Sequence, residues 1–423
     1  MKLVLYKNSF LTGALTVFFA LIAFFYFQNH LLPITFFPEK YRLIYQIALV
    51  VIMVLPSVFL YPFSSWLEQK DTVHKLHKVF LSMFMLSTLY SWSIQSFTIG
   101  IFSLLTVAYF FYNKKVQLDS KLYILFGVYF LIHLISLIWA NDMEKGFEIL
   151  SRYVPFFVFS FLFCLFQYDK KTFDRLLLIY FRGTLIFVFI SLLCWIYESF
   201  RLGIPLTEWV VIFGKKTFSG IPPYDIVYSW TDIGNRHPSY NAIGFSLSVA
   251  IGFYFVNEKQ EKFSRIEFLV YLIASALLTI VTQSRVGLVS FLLVLFAGAF
   301  FLLRNHKKWQ IVLSGVVFLL SIVALWVFMK YLSSDHPLEN DSIRLEQYNI
   351  AISSIKEKPL LGTGIGNMPF VFRVNNYHFN YPHNQFLGEL MQTGILGFGS
   401  LLLIIGSIFF AGIKRKNFLL LSL

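Results

Sequence analysis

The sequence predicts an all-α, polytopic membrane protein with about 12 transmembrane helices and a helical loop outside the membrane between the last two spans. Composition is the first reason, because 57% of the 423 residues are hydrophobic and only 13% are charged. A soluble domain carries roughly a quarter charged residues. The second reason is that the apolar residues form runs of about 20, the length that crosses a bilayer as a helix. The third is that basic residues cluster in the short segments between these runs.

The apolar runs define the elements in order. The predicted spans are 9–28, 43–61, 79–94, 96–112, 122–140, 153–168, 176–199, 239–256, 267–283, 286–303, 309–330 and 386–412. No small-x-small cleavage site follows the first run, so we expect an uncleaved first helix. Arg182 lies inside the span 176–199 and is expected to snorkel toward one face. The final run, FLLLSL, is too short to cross and predicts a stub or a truncated further helix.

The basic residues predict the orientation. If the N-terminus is cytoplasmic, every later inner segment carries three basic residues, and the outer face has fewer. This agrees with the positive-inside rule, so the net charge of +13 predicts a membrane topology and no nucleic-acid partner. Cys164 and Cys194 fall in spans at different depths, which predicts neither a disulfide nor a metal site.

Two long outer loops, 200–238 and 331–385, divide the chain. The expected segments are transmembrane helices 1–199, an outer loop 200–238, transmembrane helices 239–330 with a Ser284-Arg285 turn, a large outer loop 331–385, and a last helix with a cytoplasmic tail, 386–423. No acidic or basic side chain lies deep in a span, and His133 is the only titratable group near the middle of one. The polar chemistry is therefore expected on the outer face.

The loop 331–385 contains the stretch DSIRLEQYNIAISSIKEKPLLGTGIGN. The spacing of Leu345, Tyr348, Ile352 and Ile355 predicts an amphipathic helix with these residues on its apolar face. Asp341 or Ser342 can cap its start, and Pro359 ends it. Gly362, Gly364 and Gly366 then predict a tight turn, which we call the glycine turn (359–367). Its spacing is not GxGxxG and no strand precedes it, which excludes a nucleotide site.

Arg285 stands in a very short turn between two apolar helices, in TQSRVGL. One interpretation is an interfacial arginine that reaches lipid phosphates. The other is a fixed guanidinium that binds a diphosphate, because arginine is planar, always charged and bidentate. Arg236, in NRHPSYNAIG, lies just before the span 239–256, also at the outer surface, and is a second candidate for the same role. Its neighbour His237 precedes a proline and is more typical of a turn.

His383, in YPHNQFLGEL, stands at the mouth of the last span. A lone histidine there often only caps a helix, but its pKa near neutrality also suits proton transfer from a sugar hydroxyl. Asn384 beside it could orient the histidine or the substrate. Arg344 could add to a phosphate site, and Ser284 and Gly364 complete the predicted substrate-binding residues.

Together, SRVG at a helix start, the stretch ending in PLLGTGIGN, and HNQFLGELMQTGILG resemble the O-antigen ligase and polymerase superfamily over about residues 280–400. The resemblance implies a GT-C-type glycosyltransferase of the bacterial inner membrane, with a cytoplasmic N-terminus and a periplasmic active site. It implies a glycan donor linked to undecaprenyl diphosphate and no metal, nucleotide sugar or other cofactor. In this family an arginine at the turn and a loop histidine are essential, which correspond to Arg285 and His383. A further arginine corresponds to Arg236.

The resemblance leaves the acceptor open. A ligase passes the glycan to lipid A–core, a polymerase passes it to another lipid-linked glycan, and a protein O-glycosyltransferase is a third variant. The expected reaction is a single inverting displacement, in which Arg285 and Arg236 stabilise the leaving diphosphate and His383 aligns the acceptor. A flippase of lipid-linked sugars is the alternative from another class, and predicts internal repeats, broken helices and charges near the midplane.

Overall fold

A computed structural model describes residues 80–86, 99–107, 121–158, 169–202, 238–258, 263–281, 285–312, 315–316, 339–375, 381–382 and 384–415. All regular secondary structure in these ranges is helical, which confirms the predicted all-α fold class. The predicted spans 9–28 and 43–61 lie outside the described residues, as does nearly all of the loop 200–238.

Most of the helices with assigned ends coincide with predicted elements, but the short helices Met143–Ser151 and Met368–Val374 were not predicted. In chain order they are α1 (Lys121–Ile135), α2 (Met143–Ser151), α3 (Lys170–Leu202), α4 (Pro238–Asn257), α5 (Arg265–Val281), α6 (Arg285–Leu302), α7 (Glu339–Glu357), α8 (Met368–Val374) and α9 (Gln385–Arg415). Short 3-10 turns, Ser136–Trp139 and Leu303–Asn305, extend α1 and α6.

One helix in the described part of the chain, Gln385–Lys414, is long and apolar enough to cross a membrane. Three shorter apolar helices accompany it: Tyr123–Trp139, Asn241–Asn257 and Gly287–Leu302. The total of about 12 spans stays a prediction.

The chain forms two compact units. In the first unit, α4 and α6 are parallel neighbours, because Gly298 near the end of α6 lies against the ring of Phe253 near the end of α4. A side chain at Gly298 would overlap that ring, so glycine permits the close approach. The helix that lies between them in the sequence, α5, runs in the opposite direction, because Phe268 near its start packs on Gly252 near the end of α4.

An ion pair also ties α3 to α5 in this unit. The Nε atom of Arg182 lies 2.8 Å from Oε1 of Glu267, and both side chains are mostly buried. A carboxylate in the first turn of α5 thus neutralises the guanidinium of Arg182, and the expectation that this side chain snorkels toward one face stays a prediction.

In the second unit, α9 packs on α1 and α7, and it is broken at Gly394. That residue has φ 60° and ψ −157°, so the helix consists of a first segment, 385–393, and a second segment, 395–415. The break leaves carbonyls without helical partners. The glycine turn supplies the donors: the Thr363 amide donates to the Met391 carbonyl at 2.8 Å and the Gly364 amide to the Gln392 carbonyl at 2.9 Å.

The other side of the glycine turn is seated on the end of α1. The Ile365 amide donates to Oγ of Ser136 at 3.3 Å, and the Asn367 side-chain amide donates to the Trp139 carbonyl at 3.0 Å. Gly364 has φ 100°, and a Cβ there would come within 2.8 Å of the Trp139 ring. The turn therefore joins α1 to the broken point of α9, which explains the need for glycine.

The helix α7 ends at Glu357, just before Pro359 as predicted, but two details of the prediction are wrong. It begins at Glu339, before the expected caps at Asp341 or Ser342. Its buried face is formed by Gln347, Ala351 and Ser354, whereas Leu345 is 62% and Ile352 41% exposed. Ile355 does pack beside buried Ala351, so only part of the predicted apolar stripe faces the protein.

Candidate functional site

The first cluster of candidate residues lies at the start of α4 and α6. Arg285 is the first residue of α6, and Arg236 precedes the first residue of α4 by two positions. Arg236 and Ser284 themselves lie outside the described residues. Gly298 of α6 and Phe253 of α4 are in contact, and both helices rise equally per residue toward their starts. Arg285 at the start of α6 is therefore about level with the first turn of α4.

This arrangement places two helix N-termini side by side. Each N-terminus carries free amides and about half a positive charge, which favours a bound anion. Asn241, in the first turns of α4, is 2% exposed, and neither polar atom of its side-chain amide has a hydrogen-bond partner. An unpaired buried amide is costly unless a ligand satisfies it. From the sequence alone, Asn241 is one polar residue among several in this motif and does not stand out.

The second cluster surrounds the start of α9. His383 lies outside the described residues, between buried Pro382 and Asn384. The Asn384 side-chain oxygen accepts hydrogen bonds from the amides of Phe386 at 3.0 Å and Leu387 at 3.2 Å. Asn384 is thus the N-cap of α9, and its predicted role toward a substrate stays a prediction.

One turn further along α9, the carboxylate of Glu389 is fully buried and accepts four side-chain hydrogen bonds. Its Oε1 atom accepts from Tyr129 Oη at 2.8 Å, Tyr153 Oη at 3.0 Å and Gln385 Nε2 at 2.7 Å. Its Oε2 atom lies 2.9 Å from Nε2 of His133, which is also fully buried. From the sequence His133 stands out alone; the structure pairs it with an acid.

The hydrogen bonds determine where the protons are. Nδ1 of His133 lies 2.8 Å from the carbonyl oxygen of Tyr129. A carbonyl only accepts, so Nδ1 carries a proton, and a second proton is shared between Nε2 and the Glu389 carboxylate. The pair is neutral as a whole, which makes it compatible with an apolar surrounding.

Aromatic rings enclose this pair. The ring of Tyr153 stacks on His133 with centroids 4.0 Å apart, and that of Tyr129 meets His133 edge-on at 4.5 Å. The acid could be noticed in the sequence only as a carboxylate one helical turn after Gln385. Its partner could not be found there, because His133 is 256 residues away.

The remaining candidates are on the surface or already engaged. Arg344 is exposed on α7. The Gly364 amide is bound to the Gln392 carbonyl, so these contacts give no support to its predicted role in substrate binding.

On α2, hydrogen bonds from Lys145 and then Arg152 lower the pKa of Glu148 below its usual value. Both cations are thus paired, and neither is a free phosphate site.

Among the described residues, no group of histidine, cysteine and acidic side chains could hold a metal ion. The expectation that the protein works without a metal or other cofactor stays a prediction.

The helices and their polar ends define the class first: a helical protein whose candidate chemistry lies at helix starts and whose described part includes one helix long and apolar enough to cross a membrane. Residues 270–415 match the family described as O-antigen ligase. This match covers about the last third of the chain, the part whose motifs resemble the O-antigen ligase and polymerase superfamily, and it supports that resemblance. Members of this family are membrane proteins, and the match supports a ligase-like or polymerase-like part in surface-polysaccharide biosynthesis. Comparison of the whole chain with curated proteins gives no match.

Proposed function

We propose that this protein transfers a glycan from an undecaprenyl-diphosphate-linked donor to an acceptor hydroxyl at the periplasmic face of the bacterial inner membrane, in the manner of an O-antigen ligase. The observation that carries the proposal is the parallel pair α4 and α6, in which Arg285 begins one helix about level with the first turn of the other. Arg236 lies just before that turn in sequence.

A diphosphate is the ligand that this arrangement suits best. Two helix N-termini attract an anion, and guanidinium groups bind phosphate oxygens bidentately. Negative charge grows on the diphosphate as the anomeric carbon–oxygen bond breaks. Fixed arginines at that point would lower the barrier without a metal ion, and electrostatic stabilisation of this kind is usually the largest catalytic contribution.

In the same step, the acceptor oxygen forms the new glycosidic bond on the opposite face of the anomeric carbon. Its proton passes to His383, and undecaprenyl diphosphate leaves with the bonding electrons. A single displacement inverts the configuration and needs no covalent intermediate. General-base assistance by a histidine typically contributes about 10²–10⁴-fold.

Within this class, a polymerase that transfers to a second lipid-linked glycan is the alternative, since ligases and polymerases share these motifs. A protein O-glycosyltransferase is a less favoured variant. Deletion of the gene separates the first two. Loss of a ligase leaves lipid A–core without polysaccharide, whereas loss of a polymerase leaves core with one repeat unit. Unchanged surface polysaccharide and no accumulated lipid-linked glycan would contradict both.

One feature favours a flippase of lipid-linked sugars: α9 is broken, as helices of transporters often are. In transporters, however, the freed backbone groups line a substrate path. Here the carbonyls of Met391 and Gln392 are bound by the glycine turn, and Glu389 is neutralised by His133. The transferase is therefore the better-supported proposal.

A further inference from the structure

The buried acid Glu389 has no role in the reaction proposed above. A carboxylate in a span-length apolar helix is costly, and such groups usually mark function. Both Glu389 and His133 are fully buried, so neither can touch a substrate in this conformation. Any role in the reaction must therefore pass through a neighbouring group.

That neighbour is Gln385. Its side-chain amide donates to Oε1 of Glu389 at 2.7 Å. Gln385 is the first residue of α9 and lies two positions after His383 in the sequence. The carboxylate of Glu389 thus fixes the first turn of α9, which follows His383 in the sequence.

The first segment of α9 is fixed at its other end as well. The amides of Thr363 and Gly364 bind the carbonyls of Met391 and Gln392, next to the break at Gly394. A helix of nine residues is marginal by itself in water, so its position depends on such attachments. One attachment is the glycine turn, and the other is the hydrogen-bonded group around Glu389.

We infer that Glu389, paired with His133, is a positioning residue that fixes the start of α9 through Gln385 and so sets where His383 stands relative to the acceptor. This inference deepens the proposed function and rests on it. Misplacement of a reacting group by about 1 Å can cost about 100-fold in rate. Removing the link should therefore lower kcat and leave the KM of the donor unchanged, because Arg236 and Arg285 are not altered.

Gln385→Leu tests the link without changing the buried pair, and Glu389→Gln removes the charge while keeping the shape. Glu267→Gln is the matched control, since it makes the same change at the ion pair with Arg182. In purified full-length protein, kcat should fall by about 10- to 100-fold in the first two variants. Wild-type kcat in Gln385→Leu, or an equal loss in the control, would overturn the inference.

The double variant His133→Leu/Glu389→Leu distinguishes a positioning role of the pair from a role in fold stability alone. An apolar replacement of a buried ion pair is often neutral or stabilising, so the melting temperature should recover relative to Glu389→Leu alone. A positioning role predicts that kcat does not recover with it, because Gln385 still lacks its acceptor. If the melting temperature and kcat recover together, the pair only stabilises the fold and the positioning role is overturned.

A readout that needs no activity keeps this inference separate from the proposed function. In a Cys164→Ser/Cys194→Ser background, His383→Cys can be labelled with a membrane-impermeant maleimide. Gln385→Leu should change the labelling rate severalfold, and Glu267→Gln should not. Equal rates would overturn the positioning role even if kcat falls. Absence of transfer by wild-type protein would instead contradict the proposed function, and labelling would still decide the positioning role.

Discussion

Nε2 of His133 lies 2.9 Å from Oε2 of Glu389, although the residues are 256 positions apart and both side chains are fully buried. The contact joins α1 to the first segment of α9, at the turn that follows His383. It links an early helix, which lies outside the matched family segment, to the part of the chain that carries the family motifs.

Breaking this pair from one side should destabilise the protein strongly. His133→Ala leaves a buried carboxylate without its compensating group, which typically costs about 3–5 kcal/mol. Thermal unfolding of purified protein in detergent measures the effect. The control is Lys145→Ala, which removes an exposed cation beside Glu148 and should leave the melting temperature nearly unchanged. Similar melting temperatures for the two variants would contradict the burial of the pair.

The break in α9 predicts a contrast between glycines of one helix. Gly394 has φ 60°, and a side chain there would overlap the Leu360 carbonyl. Gly394→Ala should cost about 1–3 kcal/mol from backbone strain alone. Gly399→Ala and Gly406→Ala, which meet nothing within 4 Å, should be neutral or slightly stabilising. Unfolding of the three variants gives the comparison, and a continuous helix would make all three alike.

The contact between α4 and α6 predicts an effect on activity. Gly298→Ala forces the ring of Phe253 to move and shifts α6 against α4. The spacing of Arg285 from the first turn of α4 then changes, so we expect weaker donor binding, read as a higher KM for the lipid-linked donor. Gly315→Ala, which meets no neighbour within 4 Å, is the control. A donor KM that is unchanged in Gly298→Ala would separate this packing from the donor site.

How much of this follows from the sequence differs between the helices. The ends of α4, α6 and α9 follow from apolar runs bounded by polar residues, and Arg285 stands at a helix start as predicted. These features are local. Length, hydropathy and a neighbouring proline or short turn determine them.

The features that could not be predicted depend on distant partners. Gly394 lies in an apolar run that looks continuous, and its break is tolerated only because the glycine turn supplies amides to Met391 and Gln392. The buried face of α7 includes Ala351 and Ser354, whereas Leu345 and Ile352 of the predicted apolar stripe are exposed. The partner of Glu389 is on another helix. None of these has a local signature.

The most direct test of the central claim is glycan transfer by purified full-length protein supplied with an undecaprenyl-diphosphate-linked glycan and an acceptor, with Arg285→Lys and His383→Ala beside the wild type. Arg373→Lys, an exposed site on α8, is the control. A lysine cannot copy the guanidinium fork, so Arg285→Lys should lose about 10²–10³-fold in kcat. Both variants should release little undecaprenyl diphosphate and form little product, and the control should behave as wild type. Near-normal transfer by Arg285→Lys and His383→Ala would contradict the account.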